Sequence, residues 1–298
     1  MEEQHAMGWL MDSPDIRDYT ITTPKVQALL DQVTDFKPLK ASKTAAVTLA
    51  PKVDLRSYCS SIEDQGRIGS CTANAGAGLL EYFEKRSTGG YLDASRIFLY
   101  KVTRNLLHWT GDTGAYLRST MKAMATFGVC PEEYCPYSDV TTGTPPPYDA
   151  EPTAFMFALA SNYKAITYYR LDPPTATPAT VLATIKNNLV AGLPCMFGFT
   201  VYSSYTTAGS NGGKFPFPKT TESTVGGHAV VAVGYDDNLV IKNPAGGSTT
   251  GALLIRNSWG TGWGDGGYGW LPYEYVLQKL ATDFWSLIKT DYVSFTTF

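Results

Sequence analysis

The stretch Gln65-Gly66-Arg67-Ile68-Gly69-Ser70-Cys71-Thr72-Ala73-Asn74-Ala75 constrains the chain most, because a glycine-punctuated loop there runs straight into a helix that opens on a cysteine. The spacing predicts a helix over 71–86: Ser70 suits the N-cap, Leu79, Leu80 and Phe83 form an apolar stripe, and Gly89-Gly90 stops it. A cysteine at a helix N-terminus sits among unpaired backbone N–H groups at the positive end of the macrodipole, which favours the thiolate. A loop that turns back at Gly66 and Gly69 can bring the Gln65 amide beside the Cys71 N–H, giving two donors for an oxyanion. A buried structural cysteine would satisfy the same local pattern, since unpaired cysteine is usually an inert small hydrophobe. The rest of the chain has to decide.

A cysteine nucleophile needs a base and a group that orients it. The chain has three histidines, His5, His108 and His228. His228 stands in Gly226-Gly227-His228-Ala229-Val230-Val231-Ala232-Val233-Gly234-Tyr235, which reads as a buried strand entered through glycines that leave room for substrate beside the ring. Leu253-Leu254-Ile255-Arg256-Asn257-Ser258-Trp259-Gly260 reads as a second strand, whose end offers the Asn257 amide to the imidazole's second N–H and Trp259 as a shield over that bond.

The Gln65 to Cys71 loop, the His228 strand and Asn257-Ser258-Trp259-Gly260-Thr261-Gly262-Trp263-Gly264 together resemble a papain-like cysteine peptidase, in the family's order and spacing. The lead Gly8-Trp9-Leu10-Met11-Asp12-Ser13-Pro14-Asp15-Ile16-Arg17-Asp18-Tyr19 is similar to bacterial members, particularly the xylellain-like group. The resemblance implies an α+β fold, with a helical half over 51–165 carrying the nucleophile, a β-barrel half over 166–298 carrying the histidine and asparagine, and the cleft between them. It implies a catalytic set of Cys71, His228, Asn257 and Gln65 that hydrolyses peptide bonds through a thioester with no cofactor or metal, kept active by a reductant. It places Gly111-Asp112-Thr113-Gly114-Ala115-Tyr116-Leu117 where a glycine-rich strip binds extended substrate, with Gly114 and Ala115 pairing with its backbone and Tyr116 and Leu117 walling a pocket floored by Gly198. Gly227 and Trp259 complete the expected substrate-binding set. Residues 1–50 stand where members carry an inhibitory prosegment, so a segment lying along the cleft is expected alongside the alternative of a strap that merely packs on the body. Ile68, Thr72 and Gly227 depart from the family's usual cysteine, tryptophan and aspartate; none removes a catalytic atom.

Composition narrows the partners. A formal charge of -3 with no Lys/Arg cluster argues against nucleic acid or an anionic membrane surface. No segment approaches the roughly 18 apolar residues of a membrane helix, and Met1-Glu2-Glu3-Gln4-His5 leads into no apolar signal region. The expected partners are peptide or protein substrates of a monomer, in the cytoplasm or exported without a signal peptide. The five cysteines, Cys59, Cys71, Cys130, Cys135 and Cys195, leave at least one unpaired; a Cys130–Cys135 bridge and a fully reduced set stand level.

Along the chain, Ala41-Ser42-Lys43-Thr44-Ala45-Ala46 closes the N-terminal appendage, and helices are expected at 95–101, 116–127, 177–190 and 273–281. Strands are expected at 193–201, 228–235, 239–243 and 252–257, and the tail from Pro272 should strap back onto the body. Gly264-Asp265-Gly266-Gly267-Tyr268-Gly269 fits Gly-x-Gly-x-x-Gly but opens no helix, which argues against a nucleotide loop. Two rival functions remain: a catalytically idle domain that binds peptides, and a transpeptidase or ligase in which an amine replaces water.

Overall fold

A computed structural model describes residues 5–33, 49–164 and 167–288. The run Ala41 to Ala46 and the last ten residues, which are part of the expected strap, lie outside the described residues.

At the centre is an 18-residue helix, Cys71–Thr88 (α2, following a short α1 at Pro24–Leu30). Its first thirteen residues are all buried, so it is an interior helix rather than the one-faced helix its stripe suggests. Small residues permit this: a Cβ on Gly76 would press on Thr120 Cγ2 at 2.9 Å and Met124 Sδ at 3.1 Å, and one on Gly78 would overlap the Arg256 guanidinium. The helix ends at Gly89 in the left-handed region (φ +81°), whose N–H reaches Lys85 O at 3.0 Å. Ser70 stands at the N-cap position without capping: its Oγ meets the Tyr137 hydroxyl at 2.5 Å and accepts from Asn74 Nδ2 at 3.0 Å. Two further helices, Arg96–Leu106 (α3) and Leu117–Thr126 (α4), pack beside it. The Ser95 hydroxyl caps α3 by accepting from Phe98 N at 3.1 Å.

The other elements are a strand Lys52–Asp54 (β1), a short helix Ala154–Ala160 (α5), and then Thr167–Arg170 (β2), Pro178–Val190 (α6), Cys195–Tyr202 (β3), Thr224–Lys242 (β4), Ser248–Arg256 (β5), Tyr268–Pro272 (β6), Tyr273–Leu277 (α7) and Ala281–Ile288 (β7). The sheet is antiparallel, with β2, β7, β3, β4, β5 and β6 in that order and β1 added to β4. It is not closed into a barrel: the path begins at β2 and ends at β6. Helices α6 and α7 pack on β4 and β5, covering apolar surface that a closed sheet would have to bury against itself.

Two expected strands, 228–235 and 239–243, are one strand, β4, with register shifts at Ala232/Gly234 and Asp236/Val240 where it pairs with β5. The tail returns to the body as an interior strand: β7 lies between β2 and β3 with Phe284 and Trp285 wholly buried. The glycine run at 264–269 closes a small turn, with an Asp265–Tyr268 bridge leading into β6. All five cysteines are free thiols. No helix among the described residues is long and apolar enough to cross a membrane.

Beneath α2, Glu81 is buried among Ser60 Oγ, the Ala94 N–H (2.9 Å) and Arg256 (4.0 Å). Burial, only partly offset by Arg256, pushes its carboxyl up to about 7. A raised folded-state value means stability present at low pH is lost as pH climbs from about 4.5 through about 7. Glu81→Gln should flatten that fall, by about 3 °C or more in Tm across the window, which thermal melts of the two proteins at pH 4.5 and 7.5 will read.

Candidate active site

The register of the sheet builds the site. His228 on β4 lies opposite Phe199 of β3, and β5 delivers Asn257 just past its last residue, Arg256, which pairs with Val231. His228 Nε2 lies 2.7 Å from Asn257 Oδ1, and that oxygen also accepts the Ser258 backbone N–H at 2.9 Å. A backbone N–H can only donate, so the shared atom is the amide oxygen and Nε2 must carry the imidazole proton. The lone pair of the neutral ring therefore sits on Nδ1, which is buried without a hydrogen-bond partner among the described residues. Trp259 stacks on the ring at 4.6 Å and 25°, covering the histidine–asparagine pair.

Cys71 opens α2 with no exposure, and the backbone of Ala229, next to His228, lies against its thiol. Burial pushes the thiol up to about 11, and the backbone groups of Ala229, Gly8, Thr72 and Cys71 itself offset only part of that. Burial also takes His228 down to about 4 against the Asn257 bond. The expected low thiol value is thus reversed: desolvation outweighs the helix terminus and favours the neutral form of both groups.

Gln65 is fully buried and held on both sides. Its backbone N–H donates to Ser258 O at 2.9 Å, and its Oε1 accepts from Ser258 Oγ at 2.7 Å. That leaves Nε2 as the free-facing donor, and it points at Ala6 O (2.9 Å) and Ile68 O (3.2 Å). Gly66 makes the turn (φ +55°), whereas Gly69 is where the segment passes closest: a Cβ on Gly8 would overlap the Gly69 carbonyl, and one on Gly69 would sit 3.2 Å from Gly8 Cα.

The N-terminal segment occupies the cleft. The Ala115 N–H donates to Gly8 O at 2.9 Å and Leu10 N–H donates to Ala115 O at 3.1 Å, a parallel pairing that brackets Trp9. Trp9 N–H donates to Gly227 O at 3.0 Å. Its indole, 5% exposed, lies against Gly198 and Gly227, where a Cβ on either would overlap Trp9, and its Nε1 reaches Asp283 Oδ2 at 3.3 Å. Asp283 is buried, held by Trp285 Nε1 at 2.7 Å and Arg170 at 3.1 Å, and burial pushes it up to about 7. Farther along, His5 stacks on Trp259 at 5.5 Å and meets Asp64 at 2.9 Å.

Of the residues singled out from sequence, His228, Asn257 and Trp259 are in contact, Gln65 is tied to Ser258 between the last two, Cys71 lies against the backbone of Ala229 beside His228, and Ala115, Gly198 and Gly227 line the path of residues 8–10. Gly114 lies on that path too, because a Cβ there would overlap Gly8 O. Tyr116 sets its ring against Trp109 at 5.4 Å, and Leu117 is in the core. Sequence reasoning missed Ser258 as the clamp on Gln65 and Asp283 as the polar floor beneath Trp9. Ser258 lies within a motif that had been read for its neighbours; Asp283, an isolated acid, gave no local signal.

Comparison with known proteins points one way. A sequence profile described as papain family cysteine protease matches residues 49–279. An uncharacterized peptidase C1-like protein of Acanthamoeba polyphaga mimivirus is 33% identical over 293 residues, covering 93% of this chain and 85% of that protein. The crystal structure of xylellain, a cysteine protease from Xylella fastidiosa, superposes with a TM-score of 0.75 at 33% identity, covering 95% of this chain and 96% of that one. The proCathepsin B S9 of Trypanosoma congolense, at 15% identity, shares the fold with a TM-score of 0.65 over 95% of this chain and 86% of that one.

Proposed function

We propose, for a chain that belongs to the papain family of cysteine proteases, that it is an endopeptidase with Cys71 as nucleophile, His228 as base and acid, Asn257 as its orienter and Gln65 as oxyanion donor, held latent by its own N-terminal segment. The observation that carries this reading is the shared Asn257 oxygen, which fixes the Nε2–H tautomer and leaves the His228 Nδ1 lone pair free beside the Cys71 helix.

In that reaction the Cys71 thiol gives its proton to Nδ1 as the sulfur attacks a peptide carbonyl. The negative charge that forms on the carbonyl oxygen is met by Gln65 Nε2–H and the Cys71 N–H. Collapse breaks the C–N bond, the amine leaves with the proton from His228, and a thioester remains. Water then attacks, giving its proton to His228, and the acid product leaves with the thiol restored. Peptides or proteins are the substrates, residues 51–165 contribute the nucleophile and residues 166–298 the base.

Latency follows from occupancy. Residues 8–10 pair in parallel with the Ala115 edge, and Gln65 Nε2 donates to the Ala6 carbonyl, so the segment takes both the edge for a substrate backbone and the proposed oxyanion donor. The epoxide inhibitor E-64 tests the reading by mass: one adduct per chain on Cys71, absent from Cys71→Ala, with hydrolysis of a dipeptidyl fluorogenic substrate lost in step. A Trp9→Ala chain that takes no adduct and cleaves nothing under reducing conditions would overturn it in favour of an idle peptide-binding domain.

A further inference from the structure

Arg118, the second residue of α4, has its guanidinium taken up by the N-terminal segment. Nε and Nη2 donate to the two oxygens of Asp18, both at 2.8 Å; Nη2 also donates to Ser13 O at 2.7 Å, and Nη1 bonds Asp12. Its ion-pair partners among the described residues, Asp12 and Asp18, both belong to the segment. The neighbouring Arg170 differs, since the body supplies it with Asp172 at 2.9 Å and Asp283 at 3.1 Å besides Asp18 at 3.6 Å. Lys122, one turn on, shares the Arg118 opening, and the underside of Arg118 rests on the Trp285 ring at 5.7 Å. When the segment leaves, Arg118 loses Asp12, Asp18 and the Ser13 carbonyl and keeps only the Trp285 ring, while Arg170 keeps two acids, so the exposed site beside the cleft is cationic.

Its position relative to the pocket is fixed by the segment itself. Trp9 fills the pocket and Asp12 meets Arg118 three residues later, a span of about 10 Å in extended chain. On the peptidase reading proposed above, a substrate pairs antiparallel to the Ala115 edge, opposite to the parallel pairing of Trp9, so its residue at the same place lies three positions before, towards its own N-terminus, the one that fills the pocket. We propose that Arg118 is a specificity-determining residue that receives an aspartate or glutamate side chain at that substrate position. Asp12 meets Nη1 while the Nε/Nη2 fork holds the Asp18 carboxylate in two-pronged geometry, so with both acids gone the whole guanidinium is open to one substrate carboxylate, a pairing that a neutral or basic side chain cannot reproduce. The inference rests on the reading of this cleft as a peptidase site.

The test uses the full chain with the segment loosened and its own acids removed, Trp9→Ala/Asp12→Ala/Asp18→Ala, and three fluorogenic peptides that carry Trp at the pocket position and Asp, Ala or Lys three residues before it. The Asp peptide should exceed the Ala peptide in kcat/KM by about fivefold, and the Lys peptide should be worst. Adding Arg118→Glu should invert the order, with Lys best. Arg118→Gln, the milder change, should erase it. Equal rates on the three peptides, or an Arg118 change that lowers all three alike, would overturn the inference while leaving the peptidase intact. No hydrolysis of any peptide together with no E-64 adduct would remove the peptidase reading and this inference with it.

Discussion

Alanine in place of Cys71 is expected to lower kcat/KM for peptide hydrolysis by at least about 10⁴-fold, and alanine in place of His228 by a similar factor, because either change leaves no nucleophile–base pair. The losses should not add: the double variant should be about as slow as either single one, as for groups that act as a unit. Gln65→Ala removes one of the two oxyanion donors proposed above and should cost about 10² to 10³ in kcat. Asn257→Ala frees the imidazole to choose its tautomer and leaves the Ser258 N–H without its acceptor, so a loss in kcat is expected together with some stability. Ser258→Ala gives the sharper comparison. Ser258 touches no reacting atom, yet its hydroxyl holds Gln65 Oε1 at 2.7 Å, so its loss should lower kcat with KM nearly unchanged. Wild-type rates in Cys71→Ala would defeat the whole assignment.

The parts of this site that sequence made legible are those whose chemistry is written in residue type. A cysteine at a helix start, a histidine entered through glycines and an asparagine before a tryptophan have few other reasons to occur in that order, and the fold brings them together. What sequence could not supply is whatever depends on which surfaces meet. The thiol was expected to be acidic from its helix terminus, but the terminus is a local effect and burial is a global one; with Gly8 laid over the site, burial wins. That the tail straps back onto the body follows from its aromatic residues, but those suit many settings and do not say that β7 enters the sheet as an interior strand in which Phe284 stacks on Phe197 at 4.7 Å. Trp9 and Leu10 carry no local signal of what they pack against. The pairing with Ala115 and Gly227 is what makes Trp9 an anchor of the segment in the cleft.

That anchor carries the second large effect. Trp9→Ala in the full chain should raise the rate of Cys71 alkylation by iodoacetamide at pH 7, and the rate of peptide hydrolysis, by one to two orders of magnitude. Removing a buried tryptophan side chain costs about 3 kcal/mol or more of the contact it made, roughly 100-fold in the equilibrium between seated and released segment. The backbone bonds at residues 8–10 and the Arg118 clamp remain, and tethering keeps the segment at high effective concentration, so the gain stays bounded. Trp9→Phe refills most of the pocket and loses the bond to Asp283, so it should open the site only a few fold. The pH response has a determined sign. Covered His228 is depressed to about 4 from an ordinary value near 6.5, so protonation favours the released state and the hold should weaken as pH falls from about 6.5 towards 4. Covered Cys71 is raised to about 11, so ionisation of the thiol also favours release, at the alkaline end. Between those limits the seated segment keeps the pair neutral and slow to react. Alkylation measured across that range should be low and flat in the wild-type chain at its seated minimum and markedly faster in Trp9→Ala; identical profiles for the two proteins would show that the segment does not gate the thiol.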